Sequence, residues 1–298
     1  MSNTLCFCGL LLSSVISDHN AVASLHARLQ RDRFAIVPAS ELWPLLLEHG
    51  ATETGRSPFA GYWDLATPQR DEHGIEIYPY KGTLTSYYAM DTSRSDDAQR
   101  STAETEPEFP GHVVEHIDPT TVNGDNASYY RLHQQWPLSA DSNTVMLAVQ
   151  RLVHRLMAAG ATGSFHAMFS AFRVTRSETA LGDPSPEGVH QDSAVLTIVM
   201  LMRRHNAAHF SGGSRVWSLE QPSGKPTTES VRSDRLLASH TLREPFDALF
   251  LLDREVKHEA LPVLQADEAA GPATRDVLTI EVRRPPRSEE ARGGTCEG

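Results

Sequence analysis

An α+β fold that is mainly β follows from three observations. One long amphipathic helix stands near the middle of the chain. Six strand-like segments follow it with no helix between them, and Gly, Pro, Asn and charged residues separate those segments. Strands in series without helices predict antiparallel sheets folded into a sandwich or a barrel.

The chain has 298 residues, 40% apolar and 22% charged, ordinary values that allow a sizeable core. No internal repeat is visible and no break forces a second domain. The expectation is one domain over residues 1–284, with a supporting part at 20–160, a core at 164–284, and a charged, Gly-rich, disordered tail at 285–298.

The elements come in this order. Ala21–Arg33 sets Val22, Leu25 and Leu29 on one helical stripe. Phe34–Val37 reads as a short strand, and Ser40 can cap a helix through Leu47 that Gly50 stops. Ser57–Met90 is irregular and aromatic, with strands at Ile75–Tyr78 and Thr83–Ala89. Asp91–Gly111 is polar and reads as a mobile loop, and His112–Ile117 as another strand. Asn143–Ala159 is the clearest helix: Val145, Met146, Val149, Leu152, Val153, Leu156 and Met157 recur at helical spacing, with His154 a solvated or core-edge residue. The six strands are Phe165–Thr175, Val189–Met202, Ser214–Leu219, Arg235–Leu242, Ala248–Leu252 and Val277–Val282.

Composition excludes several function classes. A formal net charge of −11 argues against a nucleic-acid surface, which needs clustered Lys and Arg. Cys6, Cys8 and Cys296 form no metal or disulfide pattern, as in a reduced, cytoplasmic protein. Leu5–Ile16 is the one targeting candidate, but it lacks a basic lead and is too short to span a bilayer. Partners are therefore expected to be small molecules, with neither nucleic acid nor membrane.

The chemistry is concentrated in Pro184–Asp192, which leads into the apolar strand. On a strand, His190 and Asp192 share a face, and an imidazole beside a carboxylate makes two-thirds of a 2-His-1-carboxylate iron site. His258 and His240 compete for the third position. His258 is favoured, because it follows an apolar strand that can return it across the sheets and leaves one more strand behind it. His205 and His209 lie near a turn and read as solvated. Arg275 opens the last strand and can fork onto a carboxylate; Arg283 and Arg284 are its rivals nearer the tail.

These segments resemble a known family. Pro186–Asp192, Arg204-His205-Asn206 leading to Gly212-Gly213-Ser214, Val256-Lys257-His258 with Leu261-Pro262-Val263, and Arg275–Leu278 occur in the order seen in the iron(II)/2-oxoglutarate dioxygenases that include the free-amino-acid hydroxylases, such as isoleucine 4-hydroxylase. Phe34–Glu41 looks like that family's opening, so the likeness runs from about residue 20 to 284. The resemblance implies a double-stranded β-helix (jelly-roll) core flanked by N-terminal helices and the long central helix. It implies iron on His190, Asp192 and His258, and 2-oxoglutarate on Arg275, with O2 as co-substrate and ascorbate as reductant in vitro. It also implies hydroxylation of a small free L-amino acid. Asp192 is the carboxylate that related halogenases lack, which argues against chlorination. Ser193 departs from the Gly that often follows the metal Asp. Arg173 is a candidate for the substrate carboxylate, and Phe172 or Tyr87–Tyr88 for its side chain. Desaturation, ring closure, a non-oxidative cupin-like metal protein and a binding module on the same fold are the alternatives.

Overall fold

The computed structural model describes residues 21–64, 69–70, 75–77, 86–91, 139–160, 164–227 and 230–284. The expectations for Leu5–Ile16, for the loop beyond Asp91, for His112–Ile117 and for the tail from Pro285 lie outside them. Among the described residues, no helix is long and apolar enough to cross a membrane.

Helix α1 (21–32) buries Val22, Leu25 and Leu29, the stripe its spacing predicts. Strand β1 (Phe34–Val37) leads into α2 (Ala39–Glu48), which starts one residue before the expected Ser40 cap. Pro38 stands at the cap position and has no side-chain cap bond. Asp247 supplies the acceptor from far along the chain: its Oδ1 takes the Ala39 N–H at 2.8 Å, and its Oδ2 takes the Arg243 and Glu244 N–H groups at 2.9 Å. A helix that the sequence does not predict, α3 (Glu53–Ala60), follows, capped by Thr52 Oγ1 accepting from the Gly55 N–H at 3.2 Å. It buries only Gly55 and Phe59, so it has no apolar stripe to betray it. A 3₁₀ turn at Gly61–Asp64 and helix α4 (Ala140–Gly160) come next among the helical elements; α4 buries the seven apolar residues expected of it.

Short strands β2 (Gln69–Arg70), β3 (Ile75–Ile77) and β4 (Ser86–Asp91) precede the core strands β5 (Ser164–Arg176), β6 (Leu196–His205), β7 (Ser214–Trp217), β8 (Leu236–His240), β9 (Ala248–Leu251), β10 (Lys257–Ala260) and β11 (Ala273–Arg283). They form a large antiparallel sheet in the order β1-β9-β6-β11-β5-β3-β2, with β4 also on β5, and a small sheet β10-β7-β8. The two sheets make a jelly-roll core that is not closed into a barrel.

Alternation along the strands separates two environments. Leu278, Ile280 and Val282 of β11, Ile198 and Met200 of β6, and Phe165, Ala167 and Phe169 of β5 pack in one core with α1, α2 and α4. The opposite face turns inward toward the small sheet, where Leu249 and Leu251 of β9 meet Val216 of β7 and Ala238 of β8. Arg275, Val277, Thr279, Glu281 and Arg283 alternate with the helix-facing residues of β11, so they share this inner face. The site is built there.

Candidate metal centre and anion site

The metal-ligand candidates converge. His190, Asp192 and His258 each offer one atom, all within 4.8 Å of one another. His190 Nε2 lies 3.4 Å from Asp192 Oδ1, and His258 Nε2 lies 3.4 Å from Asp192 Oδ2. Each imidazole thus aims the same nitrogen at a different carboxylate oxygen, the arrangement of a 2-His-1-carboxylate face.

The way the chain delivers these groups differs from one continuous strand. Val189–Met202 does not run extended: β6 begins only at Leu196, and His190 instead pairs with His258. The two residues exchange both backbone hydrogen bonds at 2.9 Å, which sets their rings 4.4 Å apart. Gly188 turns the chain into this pairing with φ +81°, and a side chain there would come 2.3 Å from the Gly224 carbonyl. Ser193 turns it out again with φ 60°, the left-handed region glycine enters freely. Ser193 adopts this turn without being glycine, and the chain changes direction directly after Asp192, before β6 begins.

Partners behind the ligands fix their orientation. His190 donates its Nδ1–H to the Gly188 carbonyl at 2.8 Å, which leaves Nε2 with its lone pair for a metal. His258 Nδ1 lies 3.4 Å from Oδ1 of the fully buried Asp253, and neither atom has another hydrogen-bond partner. Asp253 Oδ2 accepts the Ala194 N–H at 3.1 Å, and its carbonyl accepts from Gln191 Nε2 at 2.7 Å. Asp253 thus ties the segment carrying Asp192 to the strand carrying His258. The Asp253→Asn variant is expected to bind iron(II) about 10- to 100-fold more weakly, measured by chelator competition.

Electrostatics within the cluster favour positive charge beside Asp192. Burial opposes charge on Asp192 and His258 alike, yet His258 holds the Asp192 carboxyl well below its usual range, and Asp192 in turn raises His258 to about 10. The carboxylate draws protons onto the imidazoles where a divalent cation would serve. Thr197 adds a hydroxyl donated to Asp192 Oδ2 at 3.3 Å. Burial and Asp192 push Glu281 up to about 7, against the pull of Arg283.

Arg275 is 2% exposed, and its Nε and Nη2 have no hydrogen-bond partner. Its cross-strand neighbour Arg204 has a buried Nη1 that is likewise unpartnered. Burial, with Arg204 beside it, lowers Arg275 to about 10. Gly212 leaves room at this point, since a side chain there would come 3.0 Å from Arg275 Cδ. A buried guanidinium with two free nitrogens, beside a half-buried one with a free Nη1, favours an anion here, because an unpaired buried charge is costly. A carboxylate of 2-oxoglutarate fits them. Arg204 as a participant was not legible in sequence; only the β6–β11 register brings it beside Arg275.

The other candidates fall elsewhere. His240 is exposed on β8, opposite Ser214 of β7 and so two strands from His258. His205 and His209 are exposed. Arg284 is exposed over the Phe165 ring, and Arg283 bonds Glu281. Phe172 is on the inner face, packed near Leu201, Leu242 and Val277. Arg173 is not brought to the site. It pairs with Asp276 on the other face, where its Nε lies 2.6 Å from the Asp276 carboxylate, in a network with Arg203 and Asp64. The substrate role expected for Arg173 is withdrawn, because adjacent strand residues point to opposite faces. The Tyr87 and Tyr88 side chains lie outside the described residues.

Comparison with known proteins agrees with this geometry. The family model described as 2OG-Fe dioxygenase matches residues 94–281, more than half of the chain. The bifunctional enzyme flvA of Aspergillus flavus is 33% identical over 115 residues, which are 38% of this chain and only 14% of that protein's length. Among solved structures, the Fe(II)/(alpha)ketoglutarate-dependent dioxygenase TqaL aligns with a TM-score of 0.64 at 20% identity, over 91% of each chain. A bsmA homologue from Methylobium petroleophilum PM1 aligns at 0.59 with 23% identity, over 88% of this chain and 92% of its own. IDO from Bacillus thuringiensis aligns at 0.55 with 11% identity, over 88% and 94%. At these identities the solved structures establish the fold. With the family model covering more than half of the chain and reaching across the triad and Arg275, the chain belongs to the 2OG-Fe dioxygenases, enzymes that work with iron and 2-oxoglutarate.

Proposed function

We propose that this dioxygenase hydroxylates an unactivated carbon of a small free L-amino acid, with His190, Asp192 and His258 holding iron and Arg275 gripping 2-oxoglutarate. The observation that carries the oxidative reading is the intact carboxylate between two Nε2 atoms, together with an unpaired buried arginine on the inner face of β11. The amino-acid reading is supported by the resemblance of the His190, His258 and Arg275 segments to those of the free-amino-acid hydroxylases.

When bound, iron with 2-oxoglutarate and O2 supplies the oxidising chemistry: CO2 is lost, one oxygen atom enters succinate and the other enters the substrate C–H bond. The chain's own residues do the remaining work. Asp253 and the Gly188 carbonyl hold the two imidazoles in the tautomer that offers Nε2. Arg275 and Arg204 orient the far carboxylate of 2-oxoglutarate. Phe172, Leu201, Leu242 and Val277 pack together on the inner face, with Val277 two residues along β11 from Arg275.

The test is incubation of the protein with iron(II), 2-oxoglutarate, ascorbate, O2 and each free L-amino acid in turn, read by succinate yield and mass spectrometry. Amino-acid-dependent succinate with a product one oxygen atom heavier is the expected result. A product two hydrogens lighter would mean desaturation or ring closure at the same iron. Succinate formation that no amino acid stimulates would sink the amino-acid reading.

A further inference from the structure

Glu281 and Arg283 stand at the other end of the inner face of β11 from Arg275, with Val277 and Thr279 between. The six residues from Arg275 to Glu281 span about 20 Å of strand, so this pair and the paired arginines are separate sites. Glu281 is the cross-strand neighbour of Thr197, whose hydroxyl donates to Asp192. Arg283 donates through Nη2 to the Asp192 carbonyl at 2.8 Å and to Glu281 Oε2 at 2.5 Å, and through Nε to the same oxygen at 3.2 Å. The pair therefore lies against the metal-ligand segment without belonging to the ligand set.

Its bonding is incomplete in a specific way. The Glu281 and Arg283 side chains are only 14% and 19% exposed, and the atoms they leave unbonded are not among the buried ones, so these atoms stay accessible to a ligand. Glu281 is bonded through Oε2 alone, which leaves Oε1, and the Arg283 bonds use Nε and Nη2, which leaves both Nη1 hydrogens. One acceptor and one cationic donor group thus stand side by side, next to the metal-ligand cluster, with the charge pattern that complements a zwitterion.

We infer that Glu281 and Arg283 form the recognition pair for the substrate's amino-acid headgroup, Glu281 Oε1 accepting from the α-ammonium and Arg283 Nη1 donating to the α-carboxylate. This rests on the amino-acid reading above and deepens it. The pair leaves the side chain as the part free to reach toward the iron, and it makes the ammonium a requirement: an α-hydroxy acid of the same skeleton would leave the Glu281 carboxylate buried against an uncharged group.

The experiment uses the whole protein loaded anaerobically with iron(II) and 2-oxoglutarate. Calorimetric titration compares L-valine, L-leucine and L-isoleucine with their α-hydroxy acid counterparts. The unaltered protein should favour the best-bound amino acid over its hydroxy acid by on the order of 10- to 100-fold, the value of a charge-assisted hydrogen bond. Glu281→Gln should remove most of that preference while the iron content and the 2-oxoglutarate affinity stay as they were. Equal binding of amino acid and hydroxy acid by the unaltered protein would overturn the assignment, whatever the variant does. So would a Glu281→Gln protein that keeps the preference, or one that loses iron together with it, since the pair would then serve only to hold Asp192. If no L-amino acid binds or is turned over by the unaltered protein, the amino-acid reading falls and this inference with it. Turnover with the preference unmoved by the variant removes the pair alone.

Discussion

Replacing His258 with alanine is expected to strip the protein of iron and to lower 2-oxoglutarate turnover by more than about 100-fold, beyond the 10- to 100-fold that losing a partner of a ligand causes. His258 is buried, its Nε2 faces Asp192 Oδ2 at 3.4 Å, and its Nδ1 faces Asp253. Without it, Asp192 and His190 offer a divalent cation only two ligands, and no other described histidine stands in reach. His240→Ala is the matched control, since His240 is exposed and two strands away. Metal analysis of both variants decides the matter: retained iron in His258→Ala, or lost iron in His240→Ala, would reverse the choice between the two histidines.

The second large effect has opposite signs with and without co-substrate. In the protein free of 2-oxoglutarate, Arg275 is a buried cation with two unpartnered nitrogens beside a second arginine. Arg275→Met keeps the volume and removes the charge, so the ligand-free variant should be as stable as the parent or more stable by about 1–4 kcal/mol. With 2-oxoglutarate at a hundred times its Kd, the parent should gain about 2.7 kcal/mol and the variant almost nothing. Thermal unfolding of both proteins with and without 2-oxoglutarate, under nitrogen to prevent turnover, reads the reversal. A variant that is destabilised alone and still stabilised by 2-oxoglutarate would show that Arg275 is a structural cation. Arg204→Met should move both quantities in the same direction by less, because Arg204 keeps one bond to the Ala208 carbonyl at 2.8 Å.

Much of the fold was legible because its periodicities are strong. The seven apolar residues of α4 recur at helical spacing, and β9 runs over nearly the span its apolar residues mark. Other elements carry no such signal. The four residues of β10 lack an apolar alternation, and α3 has no stripe, so both are held by their neighbours more than by their own composition. The start of α2 is another case, because its cap is Asp247, more than two hundred residues away.

By itself the sequence determined the chemical inventory: two imidazoles and a carboxylate of the right types, an arginine on the last strand, and a lead-in rich in turn residues. It also determined the general architecture, since helical and strand periods are local properties of side-chain spacing. Tertiary structure decided which groups meet. The choice of His258 depends on its backbone pairing with His190, a contact between distant segments. Arg204 joins Arg275 only through the register of β6 on β11, which shifts at a bulge between Asp276 and Val277. Arg173 and Phe172 are consecutive, and a strand sends consecutive side chains to opposite faces; pairing with Asp276 and Val277 sent Phe172 inward and Arg173 toward Asp64. The same alternation put Glu281 and Arg283 beside Asp192. Composition names the candidates for a site, and strand register selects among them, because a step of one residue moves a side chain from the chamber to the opposite surface.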